Sequence, residues 1–171
     1  MKLPLFLWQF LGFVFTAAAG TFLHFLYEWS NGGVVFALFS AINESVWEHM
    51  KLLYVPMLVF AFIENRFLGE KYENFWCVKL VGMLLGLLLI PVLYYSYTGI
   101  FGVSVDWLNI VIFFVAAAIS YLVETRLLER GNLPCISSRV VFVIMGIIGL
   151  AFVVFTFIPP GIPLFQDPSS A

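Results

Sequence analysis

Residues Phe75 to Tyr97 read FWCVKLVGMLLGLLLIPVLYYSY and carry one charged residue, Lys79. Wound into an α-helix at 1.5 Å per residue, this stretch is about 34 Å long, enough to cross a hydrocarbon core of about 30 Å. Such an apolar run is the signature of a membrane helix. The rest of the chain has the same character. Of its 171 residues, 63% are hydrophobic and 11% charged, against roughly 45–50% and 25% in a soluble domain. The composition excludes a water-soluble globule.

Four further runs complete the pattern. Spans are expected at 3–27, 45–63, 75–97, 107–127 and 140–158, followed by a Pro-rich tail at 159–171. The expected fold is all-α: a polytopic transmembrane helix bundle of five spans, in which residues 1–171 form a single integral membrane domain. The location that follows is the cell membrane, as a multi-pass protein with the lipid bilayer as its first partner. In the first run, Lys2, an apolar core and Ala17-Ala18-Ala19 have the outline of a signal peptide. The apolar run nevertheless continues through Phe22, Leu23, Phe25 and Leu26, so a retained helix is expected. Gly33 to Ile63 is too long for one span; Asn43-Glu44-Ser45 divides it, leaving Val34 to Ile42 as a short re-entrant or interfacial segment before span two.

The net charge of −2 leaves no basic stripe for nucleic acid, which is excluded as a partner. Cys77 and Cys135 lack the spacing of a redox or metal motif, so both read as packing residues rather than as a disulfide framework. Lys2, Arg66, Lys71, Lys79, Arg126, Arg130 and Arg139 fall in or beside segments of one side, which places the N-terminus inside and the C-terminus outside by the positive-inside rule. Lys51 is the exception.

Lys51 belongs to a polar cluster at the outer ends of spans one and two. His24 and Glu28 lie one turn apart in the first, and Asn43, Glu44, Glu48, His49 and Lys51 crowd the start of the second. Ionisable groups at membrane depth are costly and mark function. In helical projection Glu44, Glu48 and Lys51 share a face, with His49 rotated about 100° from Glu48. Imidazoles and carboxylates at i, i+4 spacing suit a divalent metal ion, with His24, Glu28, Glu44, Glu48 and His49 as candidate ligands. Glu44, Glu48 and Lys51 are candidate catalytic acid–base groups. A capping box of Ser45 and Glu48, with Glu48–Lys51 as an ordinary helix pair, is the competing structural reading. The tail prolines end the last helix, and Ile162, Leu164 and Phe165 are expected to fold it over the cluster, with Asp167 as an additional ligand.

Other polar residues have simpler explanations. Tyr94, Tyr95, Tyr97, Trp29, Trp47 and Trp107 form an outer aromatic belt, with Trp76 in the inner one. Glu64 and Glu124 are expected to pair with Arg66 and Arg126 at the inner interface. Gly82 with Gly86, Ala116 to Ala118, and Gly146 with Gly149 are small residues that let helices approach.

The string Asn43-Glu44-Ser45-Val46-Trp47-Glu48-His49, with His24 to Glu28 before it and Pro159 to Phe165 at the end, resembles an uncharacterised family of small prokaryotic membrane proteins, a domain of unknown function. The resemblance covers most of the chain and supports the topology, but implies no activity. Three functions are therefore weighed. The first is an outward-facing ion or metal site, extending to a membrane-embedded enzyme acting on lipid or envelope substrates. The second is a small ion or solute transporter component, and the third a non-catalytic membrane subunit or scaffold. A single five-helix unit without an internal repeat would have to form a homo-oligomer or join a membrane complex to transport by alternating access.

Overall fold

A computed structural model of the chain describes residues 3–131, 133–135 and 137–168. Lys2 and the last three residues of the tail lie outside the described residues. The helices are α1 (Leu5–Trp29), α2 (Val34–Ala37), α3 (Val46–Leu68), α4 (Phe75–Phe101), α5 (Asp106–Arg130) and α6 (Ser138–Phe157), with a 3₁₀ turn at Pro163–Phe165. All but α2 and the 3₁₀ turn are long and apolar enough to cross a membrane. These five helices overlap the stretches expected as spans, with α3, α4 and α5 running on to Leu68, Phe101 and Arg130.

The chain's own punctuation sets those ends. After α1 the backbone turns through Asn31 and Gly32, both at positive φ, a conformation that costs Gly least. Ser45 begins α3, its hydroxyl accepting from the Glu48 amide at 3.3 Å. Gly102 and Gly131 end α4 and α5 in the left-handed region, the usual glycine C-terminus. Pro56 and Pro91 lie inside α3 and α4, as membrane helices tolerate.

Helix α3 is the hub, packing on α1 and α4, while α5 runs along α4 and α1, and α6 rests on α3 and α4. Small residues set the closest approaches. The buried face of α1 is Gln9, Gly12, Thr16 and Gly20. A Cβ at Gly12 would lie 2.5 Å from the Tyr121 ring, and one at Gly20 would lie 2.6 Å from Phe113 and 3.0 Å from the Leu52 carbonyl. Gly86 sits against Leu53 and Ser120, so the Gly82/Gly86 pair packs within the bundle, whereas Gly146 has nothing within 4 Å.

A disulfide joins Cys77, at the start of α4, to Cys135, just before α6. This corrects the expectation that the two cysteines only pack: spacing along the chain says nothing about two residues 58 apart that antiparallel helices return to the same end. That end also holds the exposed Arg66, Lys71, Arg126, Arg130 and Arg139. Lys79, counted among the inner basic residues, is instead fully buried.

Candidate metal centre

The first turn of α3 decides which cluster residues meet. Because the helix starts at Val46, Glu44 precedes it and is not on the projected face shared with Glu48. The Asn43 side chain accepts from the Ser45 amide at 3.0 Å, an Asx turn that sets the approach. Asp167 accepts from the Glu44 amide at 3.2 Å. Glu44 is thereby turned toward His49 and across to α1.

Three side chains converge there. Glu44 Oε1 lies 3.6 Å from His24 Nε2, and Glu44 Oε2 lies 3.5 Å from His49 Nε2. The two imidazole centroids are 5.5 Å apart, and one donor atom from each residue falls within 4.8 Å of the others. His49 Nδ1 is 2.9 Å from the Ser45 carbonyl. A carbonyl only accepts, so Nδ1 carries a proton and Nε2 is the ring nitrogen that faces Glu44; this is the backbone contact that orients metal-binding histidines. Both rings are part-buried and Glu44 is exposed. A cavity of about 150 Å³ adjoins both histidines between α1 and α5, walled by Thr21, Leu52, Asn109 and Phe113.

The other candidate residues lie elsewhere. Glu28 is exposed at the end of α1, beyond the converging group. Asp167 meets the Glu44 backbone, and the tail that carries it is seated by Phe165, whose ring centroid is 4.8 Å from that of Trp47 and 5.6 Å from that of Phe155. Trp47, expected in the aromatic belt, is thus part of the tail's seat.

Glu48 and Lys51 form a separate, buried pair 2.6 Å apart. The ammonium also donates to the Ala37 carbonyl at 2.8 Å and to Thr156 Oγ1 at 2.9 Å, which uses all three of its protons. The Thr156 hydroxyl donates to Glu48 Oε1 at 2.7 Å, and the Ile42 amide to Glu48 Oε2 at 3.2 Å. Only half of the predicted capping box forms: Glu48 turns away from the Ser45 amide because Lys51 and Thr156 draw its carboxylate inward. The pair ties α3 to α2 and to the end of α6.

A second buried cluster replaces the pairings expected for Glu64 and Glu124. Both carboxylates turn inward to Lys79 rather than outward to Arg66 and Arg126. Lys79 donates to Glu124 Oε2 at 2.6 Å, and Gln9 of α1 contacts Glu64 Oε1 at 2.5 Å. The Lys79 ammonium also sits 5.4 Å from the Phe75 ring centroid and 5.5 Å from that of Tyr121. One signal could have found this cluster. Gln9, Glu64, Lys79 and Glu124 are polar residues set more than a turn inside four different spans, where solitary polar residues are expensive.

Residues 3–171 match a protein family described as a family of unknown function (DUF6512). No curated protein and no solved structure matches the chain.

Proposed function

The chain belongs to this family of unknown function, and from its geometry we propose that it is a multi-pass membrane protein that binds a divalent transition-metal ion through His24, Glu44 and His49. The observation that carries the reading is the convergence of three donors, with His49 held so that Nε2 faces Glu44. Bonds of about 2.0–2.1 Å in a tetrahedral site put neighbouring donors about 3.3 Å apart. The shortest Glu44–histidine separations, 3.6 and 3.5 Å, run to different oxygens of the carboxylate, and one donor from each residue lies within 4.8 Å of the others, so binding an ion would draw the three side chains closer together. Two imidazoles and a carboxylate suit zinc, and three protein ligands leave a position for water or substrate, as catalytic zinc sites do.

The cavity between α1 and α5 favours an enzyme acting on an amphipathic, lipid-like substrate. Its walls are apolar apart from Thr21 and Asn109, so an acyl chain would lie there with its polar group toward the histidines. The exposed arginines and Lys71 at the opposite end support an inside location for that end and an outward-facing metal site.

Metal analysis of the purified protein tests the reading. We expect about one equivalent of zinc, lost in His49→Ala and in Glu44→Ala while the protein remains folded. Absence of bound metal after purification without chelator and incubation with zinc, manganese or ferrous iron would overturn it.

A further inference from the structure

The buried cluster at the basic end has an odd charge balance, unlike the Glu48–Lys51 pair, which is one to one. Two carboxylates, Glu64 and Glu124, share a single ammonium, Lys79, and all three are at most 1% exposed. With both acids ionised the site would hold a net charge of −1 without water, a costly state at that burial. The groups facing it are Gln9 from α1, Glu64 from α3, Lys79 from α4, and Tyr121 and Glu124 from α5. The Tyr121 hydroxyl is engaged with Thr16 at 2.8 Å. Helix α6 adds nothing titratable here, because its one such residue, Arg139, is exposed at its start. Among the described residues there is thus no second cation to balance the charge.

The polar atoms around this unbalanced charge are tightly enclosed. Glu124 Oε1 and Gln9 Oε1 are buried without hydrogen-bond partners. Glu124 Oε1 lies over Gly82, where an added Cβ would overlap the carboxyl group. The Gln9 side-chain amide is in hydrogen-bond contact with Glu64 Oε1. An amide's oxygen and nitrogen exchange places by a flip. With the flip, a protonated Glu64 donates to Gln9 Oε1, its other oxygen accepts from Lys79, and the cluster is neutral.

We propose that Glu64 and Glu124 together hold one exchangeable proton, making this cluster a proton-binding site that links α1, α3, α4 and α5. Glu64 and Lys79 lie four residues from the nearer ends of their helices and Glu124 six, about 6–9 Å in axial rise. The proton therefore exchanges with water at the basic end. Its loss leaves an unbalanced carboxylate among four helices, so the site couples proton binding to their packing. This inference is independent of the metal centre at the other end.

Infrared spectroscopy of the full chain in lipid nanodiscs, in H₂O and D₂O, tests it. We expect the C=O stretch of one buried carboxylic acid at neutral pH, shifted by deuteration, lost as pH is raised, and absent in both Glu64→Gln and Glu124→Gln. Each of these variants leaves one acid on Lys79 and keeps the cluster neutral, so both should melt near the wild type. Lys79→Met, where it folds, should double the band. A folded wild type with no such band, or a band surviving in both glutamine variants, overturns the proposal. A melting temperature that rises with sodium at constant pH, without the band, overturns it in favour of a bound cation.

Discussion

At the scale of single residues, the buried Glu48–Lys51 pair and the part-buried histidine group make different demands. Glu48 and Lys51 satisfy each other and are surrounded by partners, so losing one leaves the other as an uncompensated buried charge, a loss of about 3–5 kcal/mol. Lys51→Met should therefore lower the thermal midpoint sharply, and Lys51→Met combined with Glu48→Leu should recover much of the loss. A cycle of the two single variants and the double measures this. His24 and His49 are part-buried at the periphery, and their substitution should empty the metal site with little change in melting. The identities of Glu44, His24 and His49 were legible as a group in the sequence, because such residues are rare at membrane depth. Their separation from Glu48 was not legible. It depends on α3 starting at Val46, directly after its Ser45 cap: Glu44 lies outside the helix, so the i, i+4 relation to Glu48 does not hold for it.

The helix scale shows how close packing supports the site. Gly20 lies one turn before His24, with the Leu52 carbonyl and the Phe113 ring within 3 Å of where its Cβ would be. Backbone cannot yield as a side-chain tip can, so Gly20→Ala should push α1 from α3, costing about 1–3 kcal/mol, and carry His24 away from His49. Metal content and melting temperature should fall together in Gly20→Ala. Gly146→Ala, in open space, should alter neither. The five spans could be read from apolar length alone. What escaped that reading was the small-residue face of α1, because Gly12, Thr16 and Gly20 lie in a run so apolar that no polar contrast marks which side is buried. The inward turn of Glu64 and Glu124 escaped for a related reason: neighbouring arginines along the chain offered a nearer explanation than Lys79 on another helix.

Across the whole molecule, the exposed basic residues gather at one end, where Glu70, Glu73 and Glu129 are exposed beside them. Arg66, Lys71, Arg126, Arg130 and Arg139 are exposed there, whereas the other end exposes Glu28, Glu44 and Asp106 and, among the described residues, no Lys or Arg. The basic end also carries the disulfide, a bond that usually persists in oxidising compartments. The two observations pull in opposite directions. The charge bias supports the inside for this end, and this is the proposed orientation. After reduction, Cys77 and Cys135 should therefore remain unlabelled by an impermeant thiol reagent added to intact cells. Labelling from outside would reverse the bundle and place the histidine group on the cytoplasmic face. Removing the bond by Cys77→Ser should cost up to about 4 kcal/mol, by the chain-entropy estimate for a closed loop of this length.

The same bond makes the connection between α4 and α5 an informative place to cut. The exposed turn after Phe101, through Gly102, Val103 and Ser104, lies inside the covalent ring closed by Cys77 and Cys135. A protease of broad specificity that nicks this turn would leave two fragments still tethered, so the protein would run as one band without reductant and as two with it. Applied from one side of sealed vesicles, a single gel would report whether the turn is accessible from that side and whether the ring is closed in the same molecules.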